Sequence, residues 1–131
     1  MRVVLDTSAA IEVALNRSQA PDFTHALQDA DMVLAPELLV AEVVNTVWKY
    51  YQFERLSLPA CDRVVELSLA LVDVLVSCKE LYREAFLLAR TVRRSAYDMF
   101  YLALAQREDA TFLTKDAALR KEAERQGIAV L

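Results

Sequence analysis

Short apolar runs alternate with stretches of helical periodicity along the whole chain. Residues 2–6 read as an opening strand, Met32–Ala35 as a second, Val74–Val76 as a third, Thr111–Thr114 as a fourth and Ile128–Leu131 as a last. Between them, helical spacing of apolar positions runs from Thr7 or Ser8 to about Asn16, over 22–29, from Pro36 to about Phe53, and over 60–71, 80–94, 96–108 and 116–126. Pro21, Pro36 and Pro59 suit first helical turns, where a missing N–H costs nothing. Gly127 suits the stop after the last helix. Strands that alternate with helices in this way predict an α/β fold built on a parallel sheet. No linker, low-complexity tract or internal repeat divides the chain, so a single domain over residues 1–131 is expected.

Four acids break this pattern. Asp6 ends the Val3-Val4-Leu5 run, Glu42 lies inside Leu38–Val44, Asp98 interrupts the apolar stretch 96–105, and Asp116 follows Phe112-Leu113-Thr114. A buried carboxylate costs several kcal/mol unless it is paired, hydrogen-bonded or metal-bound. In an open parallel sheet, ligands gather beyond the carboxyl ends of the strands. Asp6 and Asp116 share one rim if the first and fourth strands are neighbours. Each acid also has a plain structural reading. Asp6 and Asp116 suit helix N-caps, with Thr114 a rival cap for the latter. Glu42, Asn45 and Lys49 fit a solvated stripe on one helix face, and Asp98 fits a surface position beside Tyr101.

Composition narrows the chemistry. One Gly in 131 residues excludes a glycine-rich phosphate loop and a dinucleotide fingerprint. His25 is the only histidine, which leaves little for zinc hydrolysis or a Ser-His-Asp triad. Cys61 and Cys78 are isolated and read as reduced, buried thiols. No apolar stretch reaches the ~18–20 residues of a membrane span, and Asp6 comes too early for a signal peptide, so a cytoplasmic location is expected. A net charge of −4 argues against a simple basic nucleic-acid binder, although divalent cations on the acids would cancel that charge. Arg90, Arg93 and Arg94 form a basic cluster. Arg93, Arg94, Lys49 and Lys115 are candidate contacts for substrate phosphates, or cations at solvated helix ends.

Asp6-Thr7-Ser8 after an opening strand, Glu42 with Asn45 in a long helix, Tyr97-Asp98 opening an apolar helix, and Thr114-Lys115-Asp116 after a late strand together resemble the PIN-domain nucleases. Within these, the chain looks like the small VapC-type toxins of toxin–antitoxin pairs. The resemblance implies a three-layer α/β/α fold with a central parallel sheet of about four to five strands. It implies Mg²⁺- or Mn²⁺-dependent cleavage of single-stranded RNA, with Asp6, Glu42, Asp98 and Asp116 as metal-binding catalytic acids. Ser8, Asn45 and Thr114 would support them. Mg²⁺ and Mn²⁺ prefer such oxygen ligands. Two carboxylates ~5 Å apart repel by ~3 kcal/mol at an effective dielectric of ~20, so four cannot all stay ionised without cations.

Other folds that open with a strand and an Asp fit less well. Haloacid-dehalogenase phosphatases need a second Asp where Ser8 stands. Receiver domains need an Asp after the middle strand, whereas Asp73 precedes it. The alternative from another class is a catalytically silent scaffold of the same fold. Its support is the acidic charge and the 38–53 helix, apolar almost all round, with Trp48, Tyr50, Tyr51 and Phe53 near its end. A homodimer and a VapB-type antitoxin are the expected protein partners.

Overall fold

The computed structural model describes residues 1–131. β1 (Arg2–Leu5) leads into α1 (Thr7–Ala14) and α2 (Ala20–Asp29), and β2 (Met32–Pro36) into α3 (Leu38–Glu54) and α4 (Leu58–Ala70). β3 (Val74–Val76) is followed by α5 (Cys78–Val92) and α6 (Ala96–Glu108), and β4 (Thr111–Leu113) by α7 (Ala117–Arg125). All strand pairs are parallel and the order is β3-β2-β1-β4.

The sheet is covered on both faces, which explains why its strands read as unbroken apolar runs. Successive side chains alternate between faces. Val4, Leu34 and Phe112 join Leu39, Val43, Met99, Leu102 and Leu119 in the larger core. Val3, Leu5, Val33 and Leu113 join Ala9, Ala10, Phe23 and Ala26 in the smaller one. The result is the expected α/β architecture, a four-stranded parallel sheet flanked by seven helices.

Two local expectations change. Residues 128–131 do not form a fifth strand; Val130 makes a single parallel bridge to Phe112. The contact is confined to Phe112 of β4, whose N–H donates to the Ala129 carbonyl (2.8 Å). Pro36 does not open α3 but closes β2 opposite Val76. The next N–H, from Glu37, donates to the Val76 carbonyl (2.8 Å), so the ladder runs one residue past the proline before the helix starts. Pro21 and Pro59 do lie in first turns, the latter behind a Ser57 cap.

Four residues other than glycine adopt the left-handed conformation: Asn16, Arg55, Arg93 and Asp109. Three of them, Arg55, Arg93 and Asp109, cap the C-termini of α3, α5 and α6. An L-residue there carries a steric cost that glycine does not. Arg93→Gly is therefore expected to raise stability by ~1 kcal/mol. An unchanged or lower urea midpoint would show that the Arg93 turn is not strained.

Candidate active site

The strand order reverses between β1 and β4, because the chain leaves β1 for β2 and β3 on one side and returns to β4 on the other. A crevice opens beyond the carboxyl ends at such a switch point. Here it is a cleft of about 300 Å³ whose walls include Asp6, Glu42, Asp98 and Asp116. The pairing of Leu5 with Leu113 sets Asp6 level with Thr114, and the Asp6 N–H donates to the Leu113 carbonyl (3.1 Å).

Asp6 is both cap and floor. Its Oδ1 accepts from the Ala9 N–H (2.9 Å), closing the first turn of α1, and from Ser8 Oγ (2.7 Å). Its Oδ2 accepts from the buried Thr114 hydroxyl. Burial pushes the Asp6 carboxyl up to about 6, against three hydrogen bonds that lower it and with the negative charge of Asp98 adding to the rise. Ser8 Oγ also accepts from the Lys115 N–H (2.9 Å), which stitches α1 to the loop after β4. Thr114 Oγ1 accepts from the Asp116 N–H (3.1 Å), and Asp116 Oδ1 caps α7 through Ala118 and Leu119.

Glu42 reaches the cleft from α3. Its Oε1 accepts from the Tyr101 hydroxyl (2.6 Å) and from Thr7 Oγ1 (3.2 Å). Burial and the neighbouring Glu42 carboxylate push the Tyr101 phenol well above its ordinary value, so it stays a donor. Asp98 lies in the first turn of α6 behind the Ser95 cap. Arg94, one turn earlier, holds its guanidinium 3.5 Å from Asp98 Oδ2 and 3.9 Å from Asp116 Oδ2. Burial raises the Asp98 carboxyl, Arg94 opposes that rise, and Asp116 adds to it. Arg94 Nε is buried without a partner.

Each acid thus already has a resident partner, and no three Asp, Glu, His or Cys side chains close into a preformed ion cage. Even so, Glu42 makes both of its bonds through Oε1, and Arg94 engages Asp98 through Oδ2.

A family profile described as PIN domain matches residues 3–124. The chain belongs to the PIN domain family. Solved PIN-like structures agree with the fold over almost the whole chain. PAE2754 from Pyrobaculum aerophilum is 20% identical at a TM-score of 0.77, covering 99% of this chain and 92% of that one. VapBC2 from Rickettsia felis, solved bound to a DNA fragment from their promoter, is 16% identical at 0.69, covering 100% and 98%. VapC20 from Mycobacterium tuberculosis, a sarcin-ricin loop cleaving toxin, is 15% identical at 0.65, covering 97% and 96%. No curated protein matches significantly by sequence.

This PIN domain brings Ser8 and Thr114 to the acids but leaves Asn45 and Lys49 exposed outside the cleft walls. The cleft opens on the i+4 side of Glu42, so Thr46 and Tyr50 line it while the i+3 neighbour Asn45 turns to the other flank. Arg93 is exposed and does not line the cleft either, since the left-handed turn at the end of α5 carries it outward. Arg94 is committed to Asp98 and Asp116 and is not a free phosphate contact.

Glu12 is a further acid inside an apolar run, as Glu42 and Asp98 are, and is absent from the four candidates above. Glu12 is 1% exposed, accepts from the Gln19 N–H (2.9 Å) and pairs with Lys115 Nζ (3.0 Å). Burial raises its carboxyl, but Gln19, Lys115 and Arg17 outweigh that and hold it below the usual carboxylate range.

Because the folded Asp6 titrates near 6 rather than 3.8, its contribution to stability is full below 3.8 and is lost as pH rises through 6. In metal-free protein Asp6→Asn, which keeps the helix cap, is expected to be up to ~3 kcal/mol more stable than the parent at pH 8. The gain should fade by about pH 4. Denaturant melts at the two pH values test this, and a variant less stable at pH 8 would contradict it.

Proposed function

We propose that this PIN domain is a metal-dependent endoribonuclease that hydrolyses phosphodiester bonds of single-stranded RNA, the toxin of a VapBC-type pair. The observation that carries the reading is that Asp6 and Asp116, capping α1 and α7, and Glu42 and Asp98, from α3 and α6, line one cleft at the sheet's switch point. Their donor set is all hard oxygen, which fits Mg²⁺ or Mn²⁺ and does not fit a soft metal. A divalent cation there supplies charge neutralisation at the scissile phosphate and an activated water.

The chain's own residues prepare that site. Thr114, Ser8 and the Ala9 N–H fix the Asp6 carboxylate on the floor. Tyr101 and Thr7 fix one oxygen of Glu42 and leave Oε2 for the ion. Asp98 and Asp116 face each other across Arg94, which neutralises them in the meantime. Antitoxin binding and self-association are supported by exposed apolar side chains on α3: Val44, Trp48 and Tyr51 on its outer side and Phe53 at its end. The similarity to VapBC2 adds support for an antitoxin partner.

The decisive experiment is cleavage of single-stranded RNA with Mn²⁺ or Mg²⁺ and with EDTA. Activity is expected only with metal, and Asp98→Asn is expected to abolish it while the melting curve stays cooperative. Full activity in that variant would sink the assignment. Mn²⁺ at ~100-fold over Kd should add about 2.7 kcal/mol of stability, and no thermal shift at millimolar metal counts against a shared acidic site. Arg94→Gln removes the resident cation, so calorimetric titration should find Mn²⁺ bound about tenfold more tightly. Weaker binding would mean that Arg94 organises the acids rather than competing for them.

A further inference from the structure

The cleft walls carry five carboxylates, Asp6, Glu12, Glu42, Asp98 and Asp116, and two cations, Arg17 and Lys115. An RNA strand entering it meets a negative field that divalent ions relieve only near the acids. A cation left for the rest of the strand must line the cleft and be free of protein carboxylates. Lys115 is paired with Glu12, and Arg94 with Asp98 and Asp116. Arg93 and Lys49 do not line the cleft. Arg17 does line it and makes no direct ion pair, feeling the Glu12 carboxylate only through space; its guanidinium lies over the Tyr50 ring, 5.1 Å from the centroid, with Nη1 3.4 Å from the phenol oxygen.

A left-handed turn and two hydrogen bonds fix the backbone that carries Arg17. Asn16 takes a left-handed conformation (φ 52°) that turns the chain at the end of α1. The Arg17 N–H donates to the Glu12 carbonyl (3.0 Å). The Glu12 carboxylate then fastens the far side of the same loop through the Gln19 N–H. With one face against Tyr50 and Nη1 donating to its hydroxyl, the guanidinium keeps its remaining N–H donors for a ligand, and a pre-placed planar fork loses little entropy when it binds. Phosphate oxygens match that fork in bidentate geometry.

Resting on the ribonuclease reading above, we propose that Arg17, held by Tyr50, binds a backbone phosphate of the RNA strand beside the scissile one. Arg17 would be the substrate contact that the cations of the sequence reading do not supply.

The test is anisotropy of a fluorescein-labelled single-stranded RNA oligonucleotide, with Ca²⁺ in place of Mg²⁺, over a salt series, alongside steady-state cleavage. Arg17→Ala is expected to weaken binding about tenfold and to reduce the salt slope by ~0.7, the share of one phosphate on a single strand. KM should rise with kcat nearly unchanged. Tyr50→Leu should reproduce part of that loss, and Tyr50→Phe, which keeps the ring, little of it. Arg93→Ala is the exposed-cation control and should bind as the parent does.

Parent-like affinity in Arg17→Ala overturns the proposal. So does an affinity loss with an unchanged salt slope, which would indicate a base contact. In either case, cleavage by the parent protein leaves the ribonuclease reading standing. A parent that neither binds nor cuts RNA removes that reading itself.

Discussion

The pairing of β1 with β4 is the constraint on which the cleft depends. It sets two strand ends from opposite ends of the sequence side by side, Leu5 against Leu113, and so puts Asp6 beside Thr114. From that contact the hydroxyls of Ser8 and Thr114 bind the two loops into one unit, and Asp116 is aimed by capping α7. The same residues serve helix capping and the cleft floor at once, because a strand end that turns into a helix needs a side-chain acceptor anyway.

Charge is the second organising force. Asp6 is held protonatable by burial, Asp98 is kept from rising further by Arg94, and Glu12 is kept ionised by Lys115 and by the loop it anchors. These are different solutions to one problem, the cost of putting carboxylates together away from water. Hydroxyl and phenol donors steady Asp6 and Glu42, which sit deeper, while cations steady Asp98 and Asp116, which are one-third to one-half exposed.

The sequence shows where strands end and helices begin, because strands buried on both faces leave short unbroken apolar runs, helices leave a period near 3.6, and acids such as Asp6 and Asp116 mark the caps between them. It also shows which acids interrupt or end apolar segments: Asp6, Glu42, Asp98 and Asp116 all line the cleft, and so does Glu12, which carries the same signal. It does not show the direction of the cleft around α3, so Asn45 was preferred where Thr46 and Tyr50 stand. Nor does it show which cations are already spent on acids. Arg94 and Lys115 look free in a linear reading and are paired in space. Pro36 misled for a related reason: a proline fits the last residue of a strand as well as the first of a helix, and only the Glu37 contact to Val76 decides between them.

α3 turns two unlike faces outward. Glu42, Thr46 and Tyr50 point into the cleft, while Val44, Trp48 and Tyr51 stand in solvent on the far side. A hydrogen-bonded helix of seventeen residues moves as a stiff rod. Leu39, Val43 and Val47 bury its third side, so one anchored helix fixes together the place of the outer apolar patch and the reach of Glu42 to the Tyr101 phenol.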